Sequence, residues 1–466
     1  MNPLPSLISR RHILQSASAG FGFTAFSALS TWAAQSSAIP NPPSEISLLP
    51  KTPHFPARAK RVIFLAMQGA PSHLDTFDYK PALAFGKAQT GKMVGAVAPF
   101  HQQGRSGLWM SDLFPHLAAH ADDLCLLNGM HTDIPNHASA FVQLHTGSTQ
   151  FVRPSLGAWT LYGLGTENQN LPGFITINPP MAQGGAQNFG SAFLPAPYQG
   201  TRIGEREKKG AGRNALAGPP SIGNILNTRL TPKLQREQLD LIQSMNHDLL
   251  DQSSNTSEIE GVIQSYELAF RMQDEVPQVM DLAKESSSTL AMYGIGDTVT
   301  DSFGKQCLMA RRFAEAGVRF IEIGNEGWDH HSNLKSRITA STAAIDKPIA
   351  GLLADLKSRD MLKDTLVIWG GEFGRTPDNG GGDGRGHNAK GYTMWMAGGG
   401  IKGGQRYGAT DDIGRTAVDG MVHIHDLHAT VLALLGLNHE KLTYRYAGRD
   451  FRLTNVSGNV VQAIMV

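Results

Sequence analysis

VRFIEIGNEGWDHHSN (residues 318–333) and TLVIWGGEFGRTP (residues 365–377) decide how this chain folds. In each, an apolar run rich in β-branched residues stops at glycine and gives way to carboxylate, imidazole or guanidinium side chains. A short continuous apolar run fits a strand covered on both faces, as in a parallel sheet under helices. Between the two lies DKPIAGLLADLKSR (residues 346–359), with apolar residues at helical spacing. Strand, helix and strand in succession predict a parallel pair.

Working outward, RVIFLAM (61–67), DLCLLNGM (123–130) and YTMWMAG (392–398) read as further strands. CLMARRFAEAG (307–317) and IHDLHATVLALLGL (424–437) read as helices. The alternation predicts the α/β class: a three-layer α/β/α sandwich with a mostly parallel central sheet. Residues 150–225 are rich in Gly, Pro and Asn and predict irregular loops. Two amphipathic segments, PKLQREQLDLIQSMNHDLLDQ (232–252) and SEIEGVIQSYELAFRMQ (257–273), predict a helical insertion at about 225–300.

The chain has 466 residues, 41% hydrophobic and 17% charged, which fits a soluble protein with a substantial core. Lys plus Arg is 41 and Asp plus Glu is 40, a net charge of +1, so there is no electrostatic footprint for nucleic acid. Cys125 and Cys307 both sit in apolar surroundings and read as free core thiols. Arg10 and Arg11 precede a mildly apolar Ala/Ser/Gly stretch ending near Ala38. That pattern predicts a twin-arginine signal peptide over 1–38 and a periplasmic or secreted protein. Residues 39–57, proline-rich and polar, read as a linker, which leaves 58–466 as the domain. No run of the mature chain is apolar enough to span a bilayer.

The ligand-type residues gather where strands end. Asp329, His330 and His331 follow one strand, and a carboxylate with one or two imidazoles suits Zn, Mn or Fe better than Mg or Ca. Glu372 and Arg375 follow the next, and Arg385 and His387 close the loop before YTMWMAG. Arginine beside carboxylate and imidazole is the combination that holds an anionic ester. HTDIPNHASAFVQLHTG (131–147) offers Thr132 or Asp133 as nucleophile, base or ligand, or Asp133 and Asn136 as helix caps. After the first strand, His73 and Asp75 are candidate ligands, with capping the competing role.

GAPSHLDTFDYKP, HTDIPNH, YGLGTENQNLPGF, FLPAPYQGT, GWDHHSN, GGEFGRTP, MWMAGGGIKGG and YRYAGRDFRLT together resemble the exported, sulfatase-like family catalogued as domain of unknown function 1501, in the alkaline phosphatase superfamily. The resemblance runs over nearly the whole chain. It implies an alkaline phosphatase-like fold, a divalent metal (Zn first, then Mn, Ca or Mg), and phosphate or sulfate ester chemistry on a small molecule or glycan. Carried over by position, Asp329, His330 or His331, and His387 resemble one metal half-site. Asp133 falls where a hydroxyl nucleophile stands, with Thr132 beside it. Gln68 replaces an expected Asp, Glu372-Phe373 an expected Asp-His, and Gly386 an expected Asp. The sulfatase Cys/Ser-x-Pro-x-Arg signature is absent. The second half-site, altered at Glu372-Phe373, is weakened, or rebuilt from His73, Asp75 or Asp133. The other implied role is that of a non-catalytic member binding anionic glycans or a partner protein.

Overall fold

The computed structural model describes residues 46–88, 91–204, 225, 227, 229–252, 256–379 and 382–466. The paired-arginine segment and the start of the proline-rich stretch lie outside the described residues. Nine strands form one sheet. They are β1 (Arg61–Gln68), β2 (Leu124–His131), β3 (Phe174–Ile177), β4 (Thr201–Ile203), β5 (Phe320–Glu326), β6 (Thr365–Gly370), β7 (Tyr392–Ala397), β8 (Gln405–Tyr407) and β9 (Val422–His423). Their order is β8-β2-β7-β6-β1-β5-β3-β4, with β9 also on β2. All pairings are parallel except those of β7, which runs antiparallel to β2 and β6.

Every residue of β6 and β7, and all of β1 but Arg61, is buried. A sheet buried on both faces is sandwiched between layers, so the α/β/α reading holds. The longer helices among the described residues are α1 (His137–Thr146), α2 (Leu156–Leu164), α3 (Pro232–Gln252), α4 (Thr256–Met280), α5 (Asp301–Glu315), α6 (Leu334–Ser358) and α7 (Ile424–Leu434). Asn136 caps α1, its Oδ1 accepting from Ser139 N at 3.2 Å. Arg311 on α5 reaches Asp355 on α6 at 2.9 Å, and Tyr293 Oη donates to the same carboxylate at 3.0 Å.

Two expectations change. Residues 46–57 run along the domain with most side chains exposed: Ile46 and Leu48 are buried in the core, Leu48 O accepts from Thr166 N at 2.8 Å, and Lys51 N donates to Leu164 O at 2.8 Å. The apolar spacing there is too sparse to announce itself among the prolines. The described part of 150–225 holds α2, β3 and β4 as well as loops. The two strands are three and four residues long, too short for periodicity to register. Among the described residues no helix is long and apolar enough to cross a membrane.

One ion pair crosses from β5 to α1. His145 Nε2 lies 3.2 Å from Glu322 Oε2, both side chains buried. Burial opposes charge on His145, but the Glu322 carboxylate outweighs it and raises the imidazole's pKa. A raised folded pKa gives stability that is complete below the unfolded value of about 6.5 and lost as pH climbs through the folded one. Glu322→Gln is therefore expected to destabilise the fold by up to about 3–5 kcal/mol in acid, and by less in alkali. Thermal unfolding across a pH series checks this; a Tm difference independent of pH would contradict an ionic pair.

Candidate metal centre

Because β1, β2, β5 and β6 run the same way and β7 runs against them, the turns after the first four and before the fifth meet at one sheet edge. Close backbone approach fixes them. A Cβ on Gly69 (φ +105) would stand 2.7 Å from Asp329 N and 2.9 Å from Trp328 N, so only glycine fits there. A Cβ on Gly384 would lie 2.1 Å from the His331 carbonyl carbon.

The turns bring three imidazoles onto one carboxylate oxygen. Asp329 Oδ1 lies 3.2 Å from His137 Nε2, 2.9 Å from His331 Nε2 and 3.3 Å from His387 Nε2. One ligand atom from each of His137, Asp329 and His387 lies within 4.8 Å of the other two. Tetrahedral zinc with bonds of about 2.0–2.1 Å sets its ligand atoms roughly 3.3 Å apart, so these spacings suit a shared ion. His137 Nε2 is buried without a hydrogen-bond partner, with Asp329 Oδ1 3.2 Å away. A cation between the two would satisfy both. His331, half exposed, flanks the group on the solvent side.

The other imidazole nitrogens are tied down. His137 Nδ1–H donates to Glu372 Oε1 at 2.5 Å, and the buried Glu372 also accepts from Gly69 N at 3.0 Å. His387 Nδ1–H donates to Pro135 O at 2.9 Å. Fixing the proton on Nδ1 turns the Nε2 lone pair inward, the tautomer a metal requires. Burial opposes charge on His137, yet Asp329 and Glu372 overcome it and lift its pKa to about 9. Burial also pushes Asp329 upward, but His137, His387 and Arg375 hold its carboxyl far below the usual range. Phe373 walls the centre, its ring 4.7 Å from that of His137 and 4.9 Å from that of His387.

The arginines do something other than the sequence reading predicts. Arg375 is 1% exposed and donates to Asp329 Oδ1 at 2.7 Å, to Ala70 O at 2.9 Å and to Gly69 O. Arg385, also 1% exposed, grips Asp75 at 2.7 and 3.2 Å and the carbonyls of Gly95, Thr376 and Pro377. A buried guanidinium must satisfy its donors within the protein, so neither is free to hold an ester. Asp75 also accepts from Ser72 Oγ at 2.5 Å and Val97 N at 3.0 Å, and it stands apart from the His137, Asp329 and His387 group. His73 is committed too: Nε2 donates to Gly414 O at 2.8 Å and Nδ1 accepts from Arg375 N at 3.5 Å. His330 faces Ser341 on α6 at 3.5 Å rather than Asp329, and burial, then Arg337 and Arg375, lower its pKa to about 4.

Thr132 is buried, its hydroxyl donating to Gln143 Oε1 at 2.7 Å. Asp133 is exposed, takes the Gln143 amide and lies 3.2 Å from His423 Nε2. Glu372 orients His137 from behind instead of joining the ligands. Sequence reasoning missed His137 as a candidate ligand. The signal was its position, the first helical residue after Asn136 at the end of β2.

The family model for a protein of unknown function, DUF1501, matches residues 59–465. The chain belongs to the DUF1501 family. No curated protein matches it. Among solved structures, this DUF1501 chain is similar to the sulfatase PsFucS1 from Pseudoalteromonas sp., with 14% identity over 90% of this chain and 72% of that one and a TM-score of 0.36. It is similar to the alkaline phosphatase of the Antarctic bacterium TAB5, at 11% identity over 82% and 99% of the two chains and a TM-score of 0.35. The lipoteichoic acid synthase LtaP from Listeria monocytogenes is a third, at 10% identity, 86% and 77% coverage and a TM-score of 0.36.

Since the His137 proton must leave before Nε2 can bind an ion, zinc affinity is expected to rise about tenfold per pH unit up to about pH 9. Titration calorimetry in buffers of differing ionisation heat reads the released proton; a pH-independent affinity would contradict it. Glu372→Gln should weaken zinc binding roughly 10–100-fold with the fold intact. An unchanged dissociation constant would show that Glu372 does not orient the ligand.

Proposed function

We propose that this DUF1501 chain is an exported, alkaline phosphatase-like hydrolase that holds one divalent ion through His137, Asp329 and His387 and acts on phosphate or sulfate esters of small molecules or glycans. The observation that carries it is the convergence of Nε2 lone pairs, each set by an Nδ1 hydrogen bond, on an ionised Asp329 at the sheet edge. Two imidazoles and one carboxylate with a solvent-facing side match a catalytic zinc site that keeps a position open. Zinc is the first choice, with Mn, Ca or Mg as alternatives. The twin-arginine start supports export.

A bound divalent ion would polarise an ester oxygen and lower the pKa of water. The chain's residues supply the rest. Glu372 holds His137 and Pro135 O holds His387 in the productive tautomer. Arg375 keeps Asp329 anionic and in place. Phe373 excludes water from one side. With the Thr132 hydroxyl committed to Gln143, water is the nucleophile this geometry favours.

A second reading has its own support. Both candidate ester-holding arginines are consumed by protein acceptors, which suits a cleft that binds anionic glycans or a partner protein without turnover. Zinc-loaded and metal-free protein assayed on aryl phosphate and aryl sulfate separate the two. The enzyme reading expects zinc-dependent turnover that Asp329→Ala reduces to background. Tight zinc binding with no turnover of either ester class leaves the binding reading, and failure to bind any divalent ion contradicts the metal centre.

A further inference from the structure

Among the described residues, helix α3 turns one face to α4 and leaves a second apolar face bare. Toward α4 it buries Leu239, Gln235 and Gln243, and Arg236 makes a two-pronged ion pair with Glu267 at 2.9 Å through each Nη. On the face turned away, Leu234, Leu241, Met245 and Leu249 are 51, 65, 65 and 55% exposed. At 3.6 residues per turn these four line up as one stripe about 22 Å long. An isolated exposed leucine needs no explanation, but an aligned apolar stripe marks an association surface.

Charge along the helix selects the occupant. Arg229 and Lys233 stand exposed at its N-terminal end, and Asp248 and Asp251 at its C-terminal end. Among the described residues neither aspartate has an ion-pair partner, and Lys233 reaches only Glu237, at 4.0 Å. Laid antiparallel on a second copy, with a two-fold axis near Leu241, the surface complements itself. Leu234 then meets Leu249 of the partner subunit, and Lys233 meets Asp248 and Asp251 of the partner subunit. A parallel pairing would set like charges against each other. Self-complementarity about a two-fold axis is the requirement of an isologous interface.

We propose that α3 is the surface through which two copies of this chain associate, as an antiparallel helix pair. Sedimentation equilibrium of the full chain tests it. The wild type is expected to run as a two-chain particle at micromolar concentration. Leu241→Asp with Met245→Asp should weaken association at least tenfold while leaving circular dichroism and Tm unchanged, because both residues are exposed. Lys233→Glu alone should weaken association at low salt, and adding Asp248→Lys and Asp251→Lys should restore it. A wild type that stays monomeric, whatever else then covers the stripe, overturns the proposal. So does a two-chain particle that the stripe variant leaves intact.

Discussion

A guanidinium with no access to water, Arg375, holds the Asp329 carboxylate at the carboxyl edge of the sheet, and the centre is arranged around that contact. Its remaining donors go to the carbonyls of Gly69 and Ala70 after β1 and, more distantly, to those of Trp328 after β5 and Arg385 before β7. One side chain on the β6 turn thus ties the loops of three other strands together. Ala70 is held at φ 60, a left-handed conformation that costs an L-residue roughly 1–2 kcal/mol, and its carbonyl takes Arg375 Nε. Each buried carbonyl left unpaired costs about 1–3 kcal/mol, so the contact is structural before it is functional.

The same contact shapes the electrostatics. Arg375 places a permanent positive charge beside Asp329, and Phe373 places an apolar wall beside His137 and His387. Between them they fill the side of the centre from which the Glu372-Phe373 sequence already removes a ligating imidazole. Among the described residues one group, His137, Asp329 and His387, could hold a metal ion, with His331 on its solvent side. Glu372 lies beneath it, with its carboxylate turned to His137. In the hydrolase proposed above, a single cation backed by a buried guanidinium would supply charge for an anionic ester without a second metal.

The sheet was legible because its strands are buried on both faces, so apolar runs such as those around Ile321 and Ile368 stand out from helical spacing. That the ligand-type residues cluster at one edge followed from the same runs. The antiparallel sense of β7 was not legible, since a buried strand reads the same in either direction. That Arg375 and Arg385 are buried against protein acceptors was not legible, because sequence shows charge type but not burial. The partners of Asp75 and His73 were not legible for the same reason: Arg385 and Gly414 are more than three hundred residues away. His331 and His330 are adjacent in sequence, which does not tell that His331 Nε2 lies 2.9 Å from Asp329 Oδ1 while His330 turns to Ser341.

Anomalous X-ray scattering at the zinc edge, from crystals of the zinc-loaded protein, tests the central claim most directly. The account predicts one peak at the sheet edge, about 2.0–2.2 Å from His137 Nε2, His387 Nε2 and a carboxylate oxygen of Asp329, with Glu372 bonded to His137 and not to the ion. A peak between His73 and Asp75, a second peak beside Glu372, or no peak at Asp329 would contradict it.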